Sequence, residues 1–266
     1  MNILITGIGG FLGSSLATYW RTAGHTVSGT SHHFGDPPPS RALTRQDTVI
    51  HCAHDFSPGA EQRNREGTLT MFEAAKNAGA TCQIYISSYS ARADSPSRYG
   101  ATKYAIEQEF LARGGMIVRP GLVAGPGGMF ARLARDLQRR RFAPLVYPDA
   151  KTVAVIGLPD LLAACNALIE PLERREWNLF SAPLISSREF AEAVWRARGR
   201  SGRIFSVPPW LASITLRFAN PSLADSLRGQ LANQTPVHHS DLLALVPHPA
   251  DPIAAVEAGA HAGIRP

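Results

Sequence analysis

The sequence predicts an α/β protein: a doubly wound parallel sheet followed by a small mixed C-terminal lobe. Three observations support this fold class. Short apolar runs alternate with helical patterns along the first part of the chain, as when crossover helices join parallel strands. The first apolar run, residues 2–6, leads through a glycine-rich turn directly into a helical pattern at residues 14–23. The end of the chain, by contrast, carries seven prolines between residues 208 and 252 and loses the alternation.

The glycine-rich turn carries Gly7, Gly10 and Gly13, and the adjoining residues are Phe11 and Leu12. Glycines let such a turn tighten and let its backbone approach a phosphate, while the helix N-terminus supplies N–H donors and a partial positive charge. A strand before the turn and a helix after it are the context that a dinucleotide site requires. We therefore expect these five residues to bind a dinucleotide in a Rossmann-type sheet.

The second strand is predicted over residues 24–31. At its end an Asp or Glu would bind the adenosine ribose of NAD, but Ser31 stands there, followed by His32 and His33. A hydroxyl with nearby imidazoles suits a 2′-phosphate, so we expect NADP, with NAD as the alternative. The two histidines are also explained as ordinary exposed loop residues.

Residues 34–46 are polar and rich in proline, and they leave little room for a helix and another strand before the next apolar run. The adenine side of the site is thus expected to be short. The next buried strand spans residues 47–53, and its end, Cys52, Ala53 and His54, should border the cofactor because ligands bind beyond the carboxyl ends of such strands. A helix is predicted over residues 64–79.

The stretch from Ile84 to Lys103 carries the chemistry. It is predicted to form a buried strand, a polar loop and the start of a helix on which Tyr99 and Lys103, four residues apart, share one face. Ser88 follows the strand. The positive charge of Lys103 should lower the pKa of Tyr99, so that the phenol exchanges a proton with a substrate carbonyl or alcohol whose oxygen Ser88 holds. The alternative is an ordinary surface Tyr–Lys pair.

Further elements are predicted beyond this stretch. They are a strand at 116–119, helices at 129–141, 160–169 and 186–199, an apolar run at 152–158 and a strand at 177–180. Ser187 is the expected N-cap of the helix at 186–199. We place a dinucleotide-binding domain at residues 1–170, with 121–150 contributing in part to the other lobe, and a substrate-binding lobe at residues 171–266.

Composition excludes several classes of protein. Hydrophobic residues make up 44% and charged residues 18% of the 266 residues, which is ordinary for a globular protein. The net charge is +6, but aromatic residues do not interleave with the basic helix, so no nucleic-acid partner is expected. Three cysteines lack metal or disulfide spacing, and no secretory signal or membrane span is evident. We expect a cytoplasmic protein with no metal and no membrane contact.

The chain resembles the extended short-chain dehydrogenase/reductase superfamily, in its epimerase/dehydratase branch. The matching motifs are Thr6-Gly7-x-x-Gly10-x-x-Gly13, Asp47-x-Val-Ile-His-x-Ala53, Asn64-x-x-Gly67-Thr68, Ser87-Ser88, Tyr99-x-x-x-Lys103 and Arg119-Pro120-Gly121-x-Val123-x-Gly125-Pro126. The resemblance implies that Tyr99 is the general acid/base, that Lys103 binds the nicotinamide ribose and tunes the tyrosine, and that Ser88 orients the reacting oxygen. It also implies that Asn64 and the segment from Pro120 to Val123 line the cofactor.

Three functions remain open. The first is an NAD(P)-dependent reductase or dehydrogenase acting on a small molecule, with a nucleotide-linked sugar, and hence a 4-ketoreductase, suggested by a faint likeness at 226–231 and 242–257. The second is a nucleotide-sugar epimerase with tightly bound NAD. Dehydration is disfavoured, because Tyr89 and Ser90 follow Ser88 where dehydratases usually carry Asp-Glu. The third is a redox sensor that binds dinucleotide without turnover. The resemblance further implies a homodimer through the helices at 64–79 and 99–114.

Overall fold

The structure is a computed structural model, and it describes residues 1–30, 34–140, 142–146, 152–170, 173, 175–207 and 239–263. The expected contribution of Ser31 and His32, and the likeness noted at 226–231, lie outside the described residues.

A six-stranded sheet organises the first part of the chain. Its strands, in spatial order, are β10, β5, β4, β3, β1 and β2. The bounds are Asn2–Thr6 (β1), Thr26–Thr30 (β2), Thr48–His51 (β3), Cys82–Ile86 (β4), Met116–Pro120 (β5) and Glu176–Leu179 (β10). The pairs β1–β2, β1–β3, β3–β4 and β4–β5 are all parallel. The doubly wound α/β fold predicted from the sequence is confirmed.

Six of the described helices lie close to their predicted positions, whereas those at 40–43, 242–245 and 252–262 were not predicted. The helices are α1 (Phe11–Thr22), α2 (Ser40–Leu43), α3 (Glu61–Asn77), α4 (Arg98–Ala112), α5 (Gly128–Arg139), α6 (Leu158–Leu168), α7 (Ser187–Arg196), α8 (Leu242–Leu245) and α9 (Pro252–Ala262). The remaining strands are short: β6 (Leu122–Ala124), β7 (Phe142–Val146), β8 (Thr152–Val153), β9 (Val155–Gly157), β11 (Ile185–Ser186) and β12 (Arg203–Val207).

The chain divides into two compact units. The first comprises residues 1–119 and 162–177, and the second comprises residues 120–161 and 178–266. Each unit is thus built from two separate stretches of the chain. The domains expected from the sequence, 1–170 and 171–266, are each continuous. The expected limits stay a prediction about which parts of the chain fold together.

The core of the first unit lies against the sheet. Leu4, Val49 and Met71 pack together in one cluster. Phe72 of α3 contacts Tyr85 and Phe110 in a second cluster, which joins α3 and α4 to the strands β4 and β5. Because both helices bury an apolar stripe against the sheet, α4 is held at a fixed height relative to the strand ends.

The segment between β2 and β3 is short, as the sequence predicts. It contains the single-turn helix α2, and β2 pairs only with β1 in the sheet that the structure describes. A further strand beyond β2, which a doubly wound sheet often has at this edge, is not found among the described residues. The adenine side of the expected dinucleotide site is therefore built from fewer elements.

The second unit has its own apolar core, in which Leu122, Phe130, Val155, Phe190 and Val256 are buried together. Helix α7 begins with a capping box: the Ser186 hydroxyl accepts from the Glu189 backbone N–H, and the Glu189 carboxylate accepts from the Ser186 N–H. The N-cap is thus Ser186, one residue before the position predicted. The reciprocal bonds satisfy two backbone donors of the first turn, which explains the choice.

In the ranges that the structure describes, every helix is too short or too polar to cross a bilayer.

Candidate active site

The glycine turn after β1 leaves no room for a side chain at Gly7 or at Gly13. The Gly10 N–H donates to the Gly7 carbonyl at 2.9 Å, and Gly7 has a φ of 69°, which favours glycine. A Cβ atom on Gly13 would lie 2.4 Å from the Gly7 oxygen. The turn and the start of α1 therefore pack against each other through backbone atoms alone.

This turn fits the phosphates of a dinucleotide. Gly10 is the N-cap of α1 and has no side chain to accept from the first-turn N–H groups, and the first turn carries no acidic residue. Those N–H groups and the partial positive charge of the helix end are thus available to an anion. Phe11 and Leu12 belong to the same turn and are partly buried. The five residues predicted from the sequence lie together, and their role in binding stays a prediction.

The end of β3 packs against the same turn. A Cβ on Gly7 would come within 2.8 Å of the Ala53 Cα, and the Ala53 N–H donates to the Thr6 hydroxyl at 3.2 Å. Burial raises the pKa of Cys52 to about 12, so it stays a neutral thiol. Cys52 and Ala53 thus border the glycine turn at the carboxyl edge of the sheet, and His54 follows them in the chain. The expected contact of these three residues with the cofactor stays a prediction.

Asn64 supports the loop that follows. Its side-chain oxygen accepts from the Asp55 N–H at 2.8 Å, and its amide donates to the carbonyls of Asp55 and Ala60 at 2.8 and 3.0 Å. The side chain is 2% exposed. Asn64 therefore fixes the path of residues 55–60 before the first turn of α3. Its expected contact with the cofactor stays a prediction.

Ser88, Tyr99 and Lys103 are brought together by β4 and α4. Ser97 caps α4 by accepting from the Gly100 N–H at 2.9 Å, which places Tyr99 in the first helical turn and Lys103 one turn later. A hydrogen bond joins the Tyr99 phenol to Ser88, and the Ser88 hydroxyl also lies 2.9 Å from the hydroxyl of Ser90. The spacing read from the sequence thus gives a converging group of three side chains.

Lys103 is buried and fixed. Its ammonium donates to the Ile86 carbonyl at 2.8 Å, and its Nζ atom lies 4.5 Å from the centre of the Tyr85 ring and 5.7 Å from that of Tyr99. Burial lowers the pKa of Lys103 to about 8. The amine is therefore close to its titration point at neutral to mildly alkaline pH.

The prediction that Tyr99 has a lowered pKa is wrong for this structure. Burial raises the pKa of the phenol to about 12, and the hydrogen bond to Ser88 opposes that rise without overcoming it. Desolvation of the phenolate dominates, because a charged form deprived of water is costly. At neutral pH Tyr99 is a protonated phenol, which makes it a proton donor.

The rings of His54 and Phe56 cover Tyr99, a contact that was not predicted from the sequence. The rings of His54 and Tyr99 meet edge to face at 5.1 Å, and the Phe56 ring stacks on Tyr99 at 5.9 Å. Phe56 is nevertheless 58% exposed. Burial, and next the charge of Lys103, hold the pKa of His54 well below its usual value, so its imidazole is neutral. In the sequence, the position of His54 and Phe56 just after β3 was the only feature that could have indicated this contact.

Glu107, one helical turn after Lys103 in α4, forms a buried ion pair with Arg119. Arg119 of β5 donates from Nε and Nη2 to the two carboxylate oxygens of Glu107 at 2.9 and 2.6 Å. Glu107 is fully buried and Arg119 is 4% exposed. The sequence offered only the spacing of Glu107, four residues after Lys103, as a signal.

Two further predicted residues lie in the second unit. Pro120 ends β5, and Val123 lies in β6, which pairs in parallel with β9. Their expected contact with the cofactor stays a prediction. Among the residues that the structure describes, no three His, Cys, Asp or Glu side chains lie together as a metal site would require.

A glycine turn open to an anion at the carboxyl edge of a parallel sheet, together with a Ser–Tyr–Lys group two strands away at the end of β4, is typical of enzymes that use a nicotinamide dinucleotide. Within that class the chain belongs to the NAD dependent epimerase/dehydratase family, whose sequence profile matches residues 3–154. It is therefore an enzyme with a nicotinamide dinucleotide cofactor, and the extended short-chain dehydrogenase/reductase resemblance is confirmed.

Solved structures share the fold at low identity. A UDP-galactose 4-epimerase is 18% identical over 98% of both chains, with a TM-score of 0.74. The dTDP-4-dehydrorhamnose reductase of Bacillus anthracis in complex with NADP is 20% identical over 98% of this chain and 97% of its own, with a TM-score of 0.71. MoeE5 in complex with UDP-glucuronic acid and NAD is 20% identical over 87% and 98%, with a TM-score of 0.64. Among curated protein sequences, this chain matches none.

Proposed function

We propose that this enzyme is an NADPH-dependent reductase of a small carbonyl compound, with Tyr99 as its proton donor. The observation that carries the proposal is the group of Ser88, Tyr99 and Lys103, in which the phenol is hydrogen-bonded to the serine and protonated at neutral pH. When bound, the cofactor supplies the hydride. Tyr99 gives its proton to the carbonyl oxygen that Ser88 holds, and the product is an alcohol.

Lys103 has two tasks in this proposal. Its ammonium, fixed on the Ile86 carbonyl, binds the ribose next to the nicotinamide, and its positive charge stabilises the phenolate that remains once Tyr99 has given up its proton. The neutral rings of His54 and Phe56 keep water from one side of the phenol. A protonated donor in a partly dry site favours reduction of a carbonyl over oxidation of an alcohol.

The substrate class is a nucleotide-linked keto sugar. Its support is the family and the solved relatives that contain UDP sugars or act on a dTDP sugar. This part of the proposal rests on the family and on similarity of fold.

A nucleotide-sugar epimerase that retains NAD is the second candidate. It is favoured by the family and by the fold shared with a UDP-galactose 4-epimerase over nearly the whole chain. Both candidates use the same three side chains, and they differ in whether the cofactor leaves after each turnover. The interpretation as a sensor without turnover is not supported, because the family is one of enzymes.

The experiment is a titration of the purified protein with NADPH and with NADH, followed by nicotinamide fluorescence, after a check for cofactor retained through purification. Reversible binding with preference for NADPH supports the reductase. Retained NAD supports the epimerase. Binding of neither would overturn both. Ser31→Asp should reverse the preference toward NADH, because a carboxylate repels a 2′-phosphate and accepts from a ribose hydroxyl.

We also propose that the enzyme is a cytoplasmic homodimer that pairs through α3 and α4. These helices lie side by side, and exposed ion pairs join Arg65 to Glu109 and Arg113 to Glu73. Light scattering should give a mass about twice the 28.7 kDa of one chain, and a mass equal to one chain would rule the dimer out.

A further inference from the structure

Helix α4 carries three polar side chains at successive turns of one face: Tyr99, Lys103 and Glu107. Residues four apart lie above one another on a helix. Lys103 is 3% exposed and Glu107 is fully buried. Two of the three side chains belong to the candidate active site. The third, Glu107, has no part in the proposed reaction, and burial of a carboxylate is costly unless it is paired and hydrogen-bonded.

Glu107 is held rigidly in place. Its two oxygens accept from Nε and Nη2 of Arg119 in a fork geometry at 2.9 and 2.6 Å, which fixes the plane of the carboxylate. Burial raises the pKa of Glu107, and the hydrogen bonds from Arg119 oppose that rise. Arg119 in turn lies on β5, the second strand from one edge of the sheet. The Glu107 carboxylate is thus bound to the sheet through Arg119, and its orientation is fixed.

The surroundings of Lys103 contain few charges. The ionisable groups around it are Cys52 and His54 at the end of β3, Tyr85 of β4, and Tyr99 and Glu107 of α4, with Arg119 of β5 behind Glu107. Burial keeps Cys52, His54 and both tyrosines neutral at pH 7. In this described set, Glu107 is the one acidic group held in an ion pair, because Arg119 donates to both of its oxygens.

We propose that Glu107 is a positioning residue that, clamped by Arg119, keeps the buried Lys103 amine protonated and therefore able to serve Tyr99. This inference rests on the role proposed above for Lys103. Without the carboxylate, a buried amine loses its proton more readily, because nothing offsets the cost of burying its charge. A neutral Lys103 would neither bind a ribose as an ammonium nor favour the phenolate.

The chain offers an unusually direct test, because Lys76, Lys103 and Lys151 are its three lysines. Protein labelled with ¹³C at the lysine ε carbon gives three resonances, which Lys76→Arg and Lys151→Arg assign. Their positions followed with pH report each amine's pKa. In Glu107→Gln, the pKa of Lys103 should fall by about one pH unit, a tenfold loss of proton affinity.

Two further variants complete the test. Glu109→Gln removes an exposed carboxylate of the same helix, paired with Arg65 and Arg113, and should leave the Lys103 pKa unchanged. If Glu107→Gln does not fold, the pair is replaced by Glu107→Met with Arg119→Met, since apolar residues of similar volume often substitute for a buried ion pair. The Lys103 pKa should fall there too, but by less than in Glu107→Gln, because the loss of the Arg119 charge offsets part of the loss of the carboxylate.

The outcomes separate this inference from the proposed function. A Lys103 pKa that is unchanged by removal of the carboxylate overturns the inference. NADPH affinity of the wild type and Glu107→Gln, measured against pH, then tests the function: the alkaline loss of affinity should begin about one pH unit lower in the variant. If the Lys103 pKa falls but the wild type binds no nicotinamide dinucleotide, the proposed function fails and the electrostatic role of Glu107 stands.

Discussion

The two units of this enzyme bury different kinds of side chain. Of the buried polar or charged residues that the structure describes, all but Gln138 and Ser181 lie in the first unit. The second unit buries aliphatic and aromatic groups, and its described ion pairs are exposed, as between Arg196 and Glu257. The first unit therefore carries groups whose charge and hydrogen bonds are set by their surroundings, which is the physical requirement for chemistry.

The largest expected effect concerns turnover. Tyr99→Phe should reduce the rate of carbonyl reduction by about 10²–10⁴-fold, the usual contribution of a positioned proton donor, while NADPH affinity changes less than twofold. Tyr104→Phe, on the same helix, is the matched control and should retain full activity. Nicotinamide oxidation by both variants measures this, and full activity in Tyr99→Phe would remove the phenol from the mechanism.

The next largest effect should be the difference in stability lost when a buried or an exposed ion pair is broken. Arg119→Met leaves the Glu107 carboxylate buried without a partner, and should lower the free energy of unfolding by about 3–5 kcal/mol. Arg196→Met breaks a pair whose side chains are 49% and 38% exposed, so the loss should be about 1 kcal/mol or less. Urea denaturation of both variants gives the comparison. Equal losses of unfolding free energy would mean that the buried ion pair of the first unit contributes no more to stability than the exposed pair of the second.

Acid should act on the first unit through His51. Burial lowers the pKa of this imidazole from 6.5 to about 4. Between these values the unfolded chain binds the proton and the folded one does not, so stability falls as the pH drops from 6.5 to 4, by about 3 kcal/mol from this group. In His51→Asn that part of the pH dependence should vanish, as urea denaturation at several pH values will measure. An identical acid profile in the variant would contradict this.

The smallest expected effect is at the glycine turn. A Cβ on Gly13 would lie 2.4 Å from a backbone oxygen, so Gly13→Ala should cost about 1–3 kcal/mol of stability and weaken NADPH binding. A Cβ on Gly9 meets nothing within 4 Å, and Gly9→Ala should change stability by less than about 0.5 kcal/mol. Thermal unfolding with and without NADPH distinguishes the two. If Gly9→Ala is the worse variant, the packing of the turn is misread.

Local patterns predicted most of the first unit. Tyr99 and Lys103 are only four residues apart, so the sequence could place them on one face of one helix. The pKa of Tyr99 could not be read in this way, because it depends on burial beneath rings that arrive from the end of β3. The pairing of Glu107 with Arg119 was equally hidden, since it joins a helix to a strand and only the fold decides that both are dry.

The position of β10 limits how this enzyme can be cut into pieces. The strand comes from Glu176–Leu179, late in the chain, yet it covers the outer side of β5, where the Ile117 N–H donates to the Arg175 carbonyl. A fragment that stops at residue 170 would keep every signature motif and still expose a fully buried strand as a bare, apolar edge. Such edges recruit other chains, so recombinant expression of the front part alone should yield insoluble protein.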